Sequence, residues 1–130
     1  MLFVKPRGYE KREYPRRENI NKQTFLEMET GLEDFKSVEA ILKDISEGGV
    51  RFELSLGRPI PQVFHLIDIP IKFKIPDINE VIETKARVIR IFSLNEKDEH
   101  IYGICFEFSE MEKNFKKIII KYTNEGLDNK

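Results

Sequence analysis

Two short groups of polar residues near the N-terminal end could bind a ligand that carries phosphate and a purine ring. In the first group, Arg12 and Arg16 are separated by three residues within the segment KREYPRR. A guanidinium donates two parallel hydrogen bonds to phosphate oxygens or to guanine O6 and N7, and its face stacks on a purine, which lysine cannot do. The spacing would let both arginines reach one ligand, with Lys11 and Arg17 adding to the local positive potential.

The second group is the segment 44–49, which has the sequence DISEGG. On a strand, Asp44 and Ser46 project to one side while Ile45 projects to the other, towards a core. Asp44 could accept from the N1–H and N2 amine of a guanine, and Ser46 could donate to a phosphate or base acceptor. Gly48 and Gly49 would permit a positive-φ turn and a close backbone approach to the ligand.

Each group also has an ordinary explanation. Paired arginines in a charged, proline-containing segment are usually solvated surface. A sequence such as DISEGG is most often a turn in which Asp or Ser bonds its own backbone. The elements around the two groups therefore decide how they are interpreted.

Composition indicates one small domain. The chain has 130 residues and a net charge of −1, which disfavours a globally basic nucleic-acid binder. Residues 1–22 hold seven basic and three acidic residues, a net of +4, and their prolines and glycine favour an extended arm. The single cysteine fits a reducing cytoplasm. The sequence shows no apolar leader and no apolar run long enough to span a membrane, which favours the same location.

Beyond residue 21 the sequence alternates apolar and polar residues, as a half-buried strand does. This alternation predicts strands within 23–30, 35–45, 50–55, 69–75, 82–92 and 102–108. The polar loop 95–100 predicts a hairpin, and the prolines in 57–61 predict a loop. Ser109 to Glu112 fits a capping box, and apolar residues at helical spacing follow as far as Gly126. These elements predict a mainly β chain, a small antiparallel barrel or closed sheet with one C-terminal helix.

Taken in this order and at this interval, the two groups resemble the signature of the PilZ domain family. Its members carry R-x-x-x-R near the start of the domain and [D/N]-x-S-x-x-G about one hairpin later, and they bind bacterial cyclic di-GMP. The strands around 86–90 and 102–106 and the terminal helix also lie where the family has them. The resemblance implies a six-stranded antiparallel β-barrel at 22–125, preceded by the basic arm 1–21 and followed by a tail, 126–130.

The resemblance also implies a site and a function. The site would consist of Arg12, Arg16, Asp44, Ser46 and Gly49, with Lys11, Arg17, Gly48 and Arg90 as auxiliary ligand-binding residues. The function would be that of a non-enzymatic cytoplasmic receptor, with cyclic di-GMP as ligand and no other cofactor. Binding would order the arm and signal to an unidentified effector protein of the flagellar, pilus or exopolysaccharide machinery, without DNA or membrane insertion. Lys11 leaves open whether one or two ligands bind.

Other residues indicate no catalytic or metal site. His65 and His100 have no second ligand at metal-binding spacing, and no nucleophile and base are recognisable together. Cys105 and the periodic phenylalanines, Phe92 among them, are expected in the core. Arg90 shares the parity of apolar Val88 and Phe92, which places it either in the ligand cleft or at a barrel rim.

Two alternatives stay open at this point. One is a small barrel that binds single-stranded nucleic acid through the basic arm and exposed aromatic residues. Near-zero net charge and core-facing phenylalanines disfavour it. The other is an adaptor barrel that binds no nucleotide, which the retained motif residues disfavour.

Overall fold

The computed structural model describes residues 15–31, 36–60, 68–94 and 100–128. Seven strands and one helix lie in these ranges. The strands are β1 (Arg16–Arg17), β2 (Lys22–Met28), β3 (Ser37–Ser46), β4 (Gly49–Ser55), β5 (Ile69–Ile75), β6 (Glu80–Ser93) and β7 (Ile101–Glu110). A short 3₁₀ helix, Pro76–Ile78, follows β5, and helix α1 covers Lys113–Asp128. Lys11 and Arg12 lie outside the described residues.

Strands β2 to β7 form the predicted closed, six-stranded antiparallel barrel. The hydrogen-bonded order is β3, β2, β5, β6, β7 and β4, and pairing between β3 and β4 closes the circle. The two-residue strand β1 pairs with the edge of β3 that β2 leaves free beyond Leu42, with Arg16 opposite Ser46 and Arg17 opposite Ile45. The last part of the basic arm is therefore attached to the strand that carries DISEGG.

The inner faces of the strands form one core. Phe52, Phe73 and Phe106 are fully or almost fully buried. The ring centroids of Phe52 and Phe73 lie 5.3 Å apart and those of Phe52 and Phe106 lie 6.2 Å apart, both edge to face. This is the arrangement that aromatic quadrupoles favour. The alternation in the sequence predicted these inward positions correctly.

Helix α1 lies against the barrel through its apolar side. Ile119 and Tyr122 are fully buried, and Phe115 packs against the same core. The predicted capping box at Ser109 is wrong, because β7 continues to Glu110 and the helix begins only at Lys113. Cross-strand pairing with β6, in which Lys85 is opposite Glu110, keeps this segment extended.

Three β-bulges interrupt the pairing of the described strands. One lies where Lys85 and Ala86 of β6 pair with Glu110 and Phe108 of β7. The other two lie beside polar residues that face outwards. In β3 the pairing passes from Leu42 opposite Phe52 to Asp44 opposite Arg51, so that Lys43 is the extra residue. In β6 it passes from Val88 opposite Phe106 to Arg90 opposite Cys105, so that Ile89 is extra. A bulge of one residue reverses which side chains point inwards beyond it.

Candidate functional site

The bulge at Lys43 turns Asp44 out of the barrel. Leu42, before the bulge, is fully buried in the core, and so is Ile45 after it. If β3 alternated regularly through Lys43, Asp44 would have the parity of Leu42 and would face the interior. Because of the bulge, Asp44 and Ser46 share the outer face, as predicted from the local alternation of 44–46.

Asp44 is held between two guanidinium groups. The Nε of Arg51 donates a hydrogen bond of 2.9 Å to Oδ2 of Asp44. On the other side, Nη1 of Arg16 lies 4.0 Å from Oδ1. The side chain of Asp44 is only 10% exposed, against 36% for Arg16. A carboxylate this deeply placed needs such partners, because burying an unpaired charge is costly.

Pairing of β1 with β3 brings Arg16 to this place. Arg16 lies opposite Ser46, the second polar residue of the motif. The structure therefore brings Arg16 together with Asp44 and Ser46, from which it is distant in sequence. It does not bring Arg17 to the cleft, since the side chain of Arg17 contacts Tyr122 in helix α1.

The tight turn between β3 and β4 explains the rest of the motif. The backbone N–H of Gly48 donates to Oγ of Ser46 at 3.2 Å, which leaves the hydroxyl proton of Ser46 available. The expected positive-φ turn at Gly48 and Gly49 is wrong, because neither glycine has a positive φ. Gly49 is required for a different reason, since a Cβ there would collide with the backbone carbonyl of Phe106.

Arg90 reaches the cleft because of the second bulge. Ile91 packs against the core, whereas Arg90 and Phe92 lie on the outer face. The guanidinium carbon of Arg90 lies 4.9 Å from the centroid of the Phe92 ring, a cation–π contact. The Phe92 ring covers the position where Gly103 lacks a side chain. The expectation that Phe92 belongs to the core is therefore wrong. Of the two positions left open for Arg90, the ligand cleft and the barrel rim, the structure shows the cleft.

These residues surround one open cleft of about 430 Å³ on the outer face of the barrel. Its cations are Arg16, Arg51 and Arg90, and its carboxylates are Asp44 and Glu107. Glu107 is paired with Arg87, whose Nε donates to Oε1 at 2.6 Å. Three arginines in a concave surface favour an anionic ligand with planar groups. The remaining lining is formed by Ser46, Gly48, Gly49, Val50, Ile89, Cys105 and Phe106.

Cys105 lies on the cleft side of β7, not in the core as expected. Its neighbours Ile104 and Phe106 are the buried residues of this strand, so the alternation turns Cys105 outwards. Partial burial raises the pKa of the thiol, and the nearby guanidinium of Arg51 opposes that rise. The thiol is therefore mostly protonated at neutral pH, and its small size keeps the cleft open between Arg51 and Arg90.

Three residues of the cleft were not predicted from the sequence: Arg51, Ile89 and Cys105. The alternation of Val50, Arg51 and Phe52 gave the outward direction of Arg51, but its partner depends on the bulge in the neighbouring strand. Ile89 is 57% exposed at the cleft rim, which its apolar type does not predict. No sequence signal marks a bulge here, because the extra residues are an ordinary lysine and isoleucine.

Over residues 15–31, 36–60, 68–94 and 100–128, no group of three or more His, Cys, Asp or Glu residues is arranged to hold a metal ion. No helix in the same ranges is long and apolar enough to cross a membrane.

Comparison with solved structures finds the same fold in three bacterial proteins. The Bacillus subtilis inhibitor of motility, MotI/DgrA, has a TM-score of 0.68 at 20% identity, over 92% of this chain and 53% of that chain. The PilZ domain of Escherichia coli YcgR with c-di-GMP has a TM-score of 0.63 at 16% identity, over 92% of this chain and 93% of that chain. The K. pneumonia MrkH–c-di-GMP complex has a TM-score of 0.65 at 16% identity, over 92% of this chain and 53% of that chain.

The chain thus spans about half the length of MotI/DgrA and MrkH. A search of curated proteins finds no match. The family model of the PilZ domain, however, matches residues 10–125, which include both polar motifs, the whole barrel and most of helix α1. The chain therefore belongs to the PilZ domain family.

Proposed function

We propose that this chain is a receptor for cyclic di-GMP and acts by binding, without catalysis, in the cytoplasm of a bacterium. The observation that carries the proposal is the meeting of Arg16 with Asp44 and Ser46 in one cleft. Family membership and the two neighbours whose structures contain c-di-GMP support the choice of ligand.

The geometry fits the chemistry of this ligand. Among the described residues, Arg16 approaches Oδ1 of Asp44 to 4.0 Å, which is too long for a hydrogen bond. Oδ1 can therefore accept a hydrogen bond from a guanine donor. Arg16 can bind a phosphodiester oxygen or stack on the second guanine. Ile89 at the rim offers apolar contact to a purine face. Arg12, which precedes the described residues, would complete the arginine pair from the arm.

The arm also offers a route by which binding could be transmitted. Arg16 and Arg17 form the strand that joins the cleft side of β3 to helix α1. We infer that ligand binding closes the arm over the cleft and changes the surface shared by the arm and α1. An effector protein would recognise that surface. MotI/DgrA is an inhibitor of motility and MrkH is a transcription regulatory factor, so either kind of output suits the proposal, and an output without DNA stays a prediction.

Titration calorimetry with cyclic di-GMP tests the proposal. Wild-type protein should bind it in preference to GTP and cyclic GMP, and Arg16→Ala and Asp44→Ala should each weaken binding at least tenfold, the loss of one charge-assisted hydrogen bond. Lys72→Ala is a matched control, since it removes a cation from β5 outside the cleft. No heat with wild-type protein would refute the receptor and favour an adaptor barrel.

A second measurement separates the receptor from a binder of single-stranded nucleic acid. A receptor should prefer the guanine dinucleotide over an oligonucleotide at every salt concentration. Strong binding of any oligonucleotide, falling steeply with added salt, would instead indicate nucleic-acid binding.

A further inference from the structure

We propose that Arg51 is a positioning residue that holds Asp44 for guanine and thereby sets base selectivity. This inference rests on the proposed function and adds to it a residue outside both sequence motifs. It begins from the backbone, where Arg51 in β4 is the direct cross-strand partner of Asp44 in β3. Directly opposed side chains on one face of a sheet lie close enough to interact.

The contact between them is a charge-assisted hydrogen bond of good length. Nε of Arg51 lies 2.9 Å from Oδ2 of Asp44, while the nearest atom of Arg16 is 4.0 Å from Oδ1. Arg51 therefore fixes the carboxylate, and Arg16 only approaches it. This hydrogen bond fixes the position of Oδ2, and the approach of Arg16 to Oδ1 limits the rotation of the carboxylate about it.

This orientation matters because guanine presents two parallel donors, N1–H and the N2 amine. A carboxylate meets both only when its two oxygens face the base edge, and each oxygen has a second lone pair to offer. Oδ2 can thus accept from Arg51 and from guanine together. Held in this way, Asp44 is ready before the ligand arrives, and binding need not order it.

Because Asp44 is mostly buried, its carboxylate needs Arg51 as a charged partner. The side chain of Asp44 is 10% exposed, and that of Arg51 is 37% exposed. Without Arg51, the carboxylate would lack its one close cation in the described structure and would turn towards water or Arg16. The small Cys105, opposite Arg51 on β7, leaves the guanidinium room for its present position.

Binding of cyclic di-GMP and of cyclic di-IMP, which lacks the N2 amine, to wild type, Arg51→Ala, Asp44→Ala and the double variant tests the proposal. Wild type should prefer the guanine ligand. Arg51→Ala should weaken the binding of cyclic di-GMP about ten- to a hundredfold. It should also lower the preference for cyclic di-GMP over cyclic di-IMP to nearly the value found for Asp44→Ala. In the Asp44→Ala background, Arg51→Ala should then change little, since the residues act as a unit.

Other results would overturn the inference. Equal weakening for both ligands, additive with Asp44→Ala, would make Arg51 a direct phosphate ligand. Tighter binding by Arg51→Ala would make it a competitor that blocks Asp44. Unchanged binding would give it no role, and absence of binding by wild type would refute the proposed function and this inference together.

Two further variants guard against loss of structure. Arg51→Lys keeps the charge and should recover part of the guanine preference. Lys43→Ala removes the adjacent cross-strand ion pair with Glu53, whose charged atoms lie 3.7 Å apart, outside the cleft. It should bind as wild type does. If Arg51→Ala fails to fold, a guanine preference in Arg51→Lys no greater than that of Asp44→Ala would overturn the proposal.

Discussion

Arg16 and Arg17 are consecutive residues of β1, and their side chains bind opposite parts of the molecule. Nη1 of Arg16 lies 4.0 Å from Asp44 in the cleft, and Nη1 of Arg17 donates to the carbonyl of Tyr122 in helix α1 at 3.1 Å. The guanidinium of Arg17 also lies 4.0 Å from the centroid of the Tyr122 ring. Strand β1 therefore links the cleft to the helix through two adjacent side chains.

A replacement of Arg17 by alanine should separate binding from its effect on the helix. We expect Arg17→Ala to lower the free energy of unfolding by about 1 kcal/mol, because a partly exposed cation–π contact and one hydrogen bond are lost. The variant also loses an ion pair with Asp77, in which Nη2 of Arg17 lies 3.7 Å from Oδ2. Affinity for cyclic di-GMP should fall less than threefold, whereas ligand-induced protection of α1 in hydrogen exchange should disappear. Lys22→Ala removes another cation near Asp77 and is the control. Full protection of α1 in Arg17→Ala would contradict this route.

Gly49 should tolerate no side chain. In Gly49→Ala the new methyl group would meet the backbone carbonyl of Phe106, which no rotamer change relieves. We expect a loss of about 1 to 3 kcal/mol in stability, the usual range for overpacking, together with weaker ligand binding. Chemical denaturation measures the first and calorimetry the second. Ser55→Ala, at the exposed end of the same strand, should be close to neutral, and a stable, tightly binding Gly49→Ala would be inconsistent with this contact.

Tyr122 should make stability fall at alkaline pH. Burial, followed by the hydrogen bond that its hydroxyl donates to Asp77 at 2.7 Å, raises the pKa of Tyr122. Because the folded pKa is higher than the unfolded one, the stabilisation is complete below the ordinary tyrosine pKa, about 10. It is lost progressively as pH rises from there through the folded pKa.

Denaturation midpoints between about pH 8 and 11 measure this effect. Wild type should lose stability more steeply above pH 10 than Tyr122→Phe, which lacks the ionisable hydroxyl. Tyr102→Phe provides the control, since it removes a tyrosine hydroxyl that contacts His100 and the backbone N–H of Ile60 instead of Asp77. Parallel curves for wild type and Tyr122→Phe would contradict the assignment.

Cys105 provides a chemical probe of the cleft. It is the only cysteine of the chain and lines the cleft between Arg51 and Arg90. Its raised pKa leaves little thiolate near pH 7, so alkylation by iodoacetamide should be slower than for a free thiol. Saturating cyclic di-GMP should slow the reaction at least a further tenfold, as followed by mass spectrometry. Equal rates with and without bound ligand would place the ligand elsewhere.

The sequence was sufficient to predict the barrel because its alternation is regular over most strands. Phe52, Phe73 and Ile82 all face inwards as their parity requires. The prediction failed where parity changes within a strand. Phe92 was expected in the core and lies outside, because one extra residue, Ile89, comes between it and the regular part of β6.

The site was predictable only in part, for a related reason. Asp44 and Ser46 could be assigned from their spacing and from the family resemblance. The residues that surround Asp44 and Ser46 could not be assigned in this way. Arg51 and Cys105 belong to strands whose pairing with β3 or with each other is set by the closed sheet. Contacts between distant segments depend on register, and register is a property of the whole barrel.

The extra residue in β3 has a consequence for how such a receptor could lose its ligand during evolution. Insertion of a single codon between Arg51 and Phe52 would give Lys43 a cross-strand partner, restore regular pairing between β3 and β4, and give Asp44 the inward parity of Leu42. Every residue of both motifs would remain in the gene, in the same order, while the carboxylate faced an apolar interior. A homologue that keeps R-x-x-x-R and D-x-S-x-x-G but has one more residue at this point of β4 should therefore be a barrel without a receptor site.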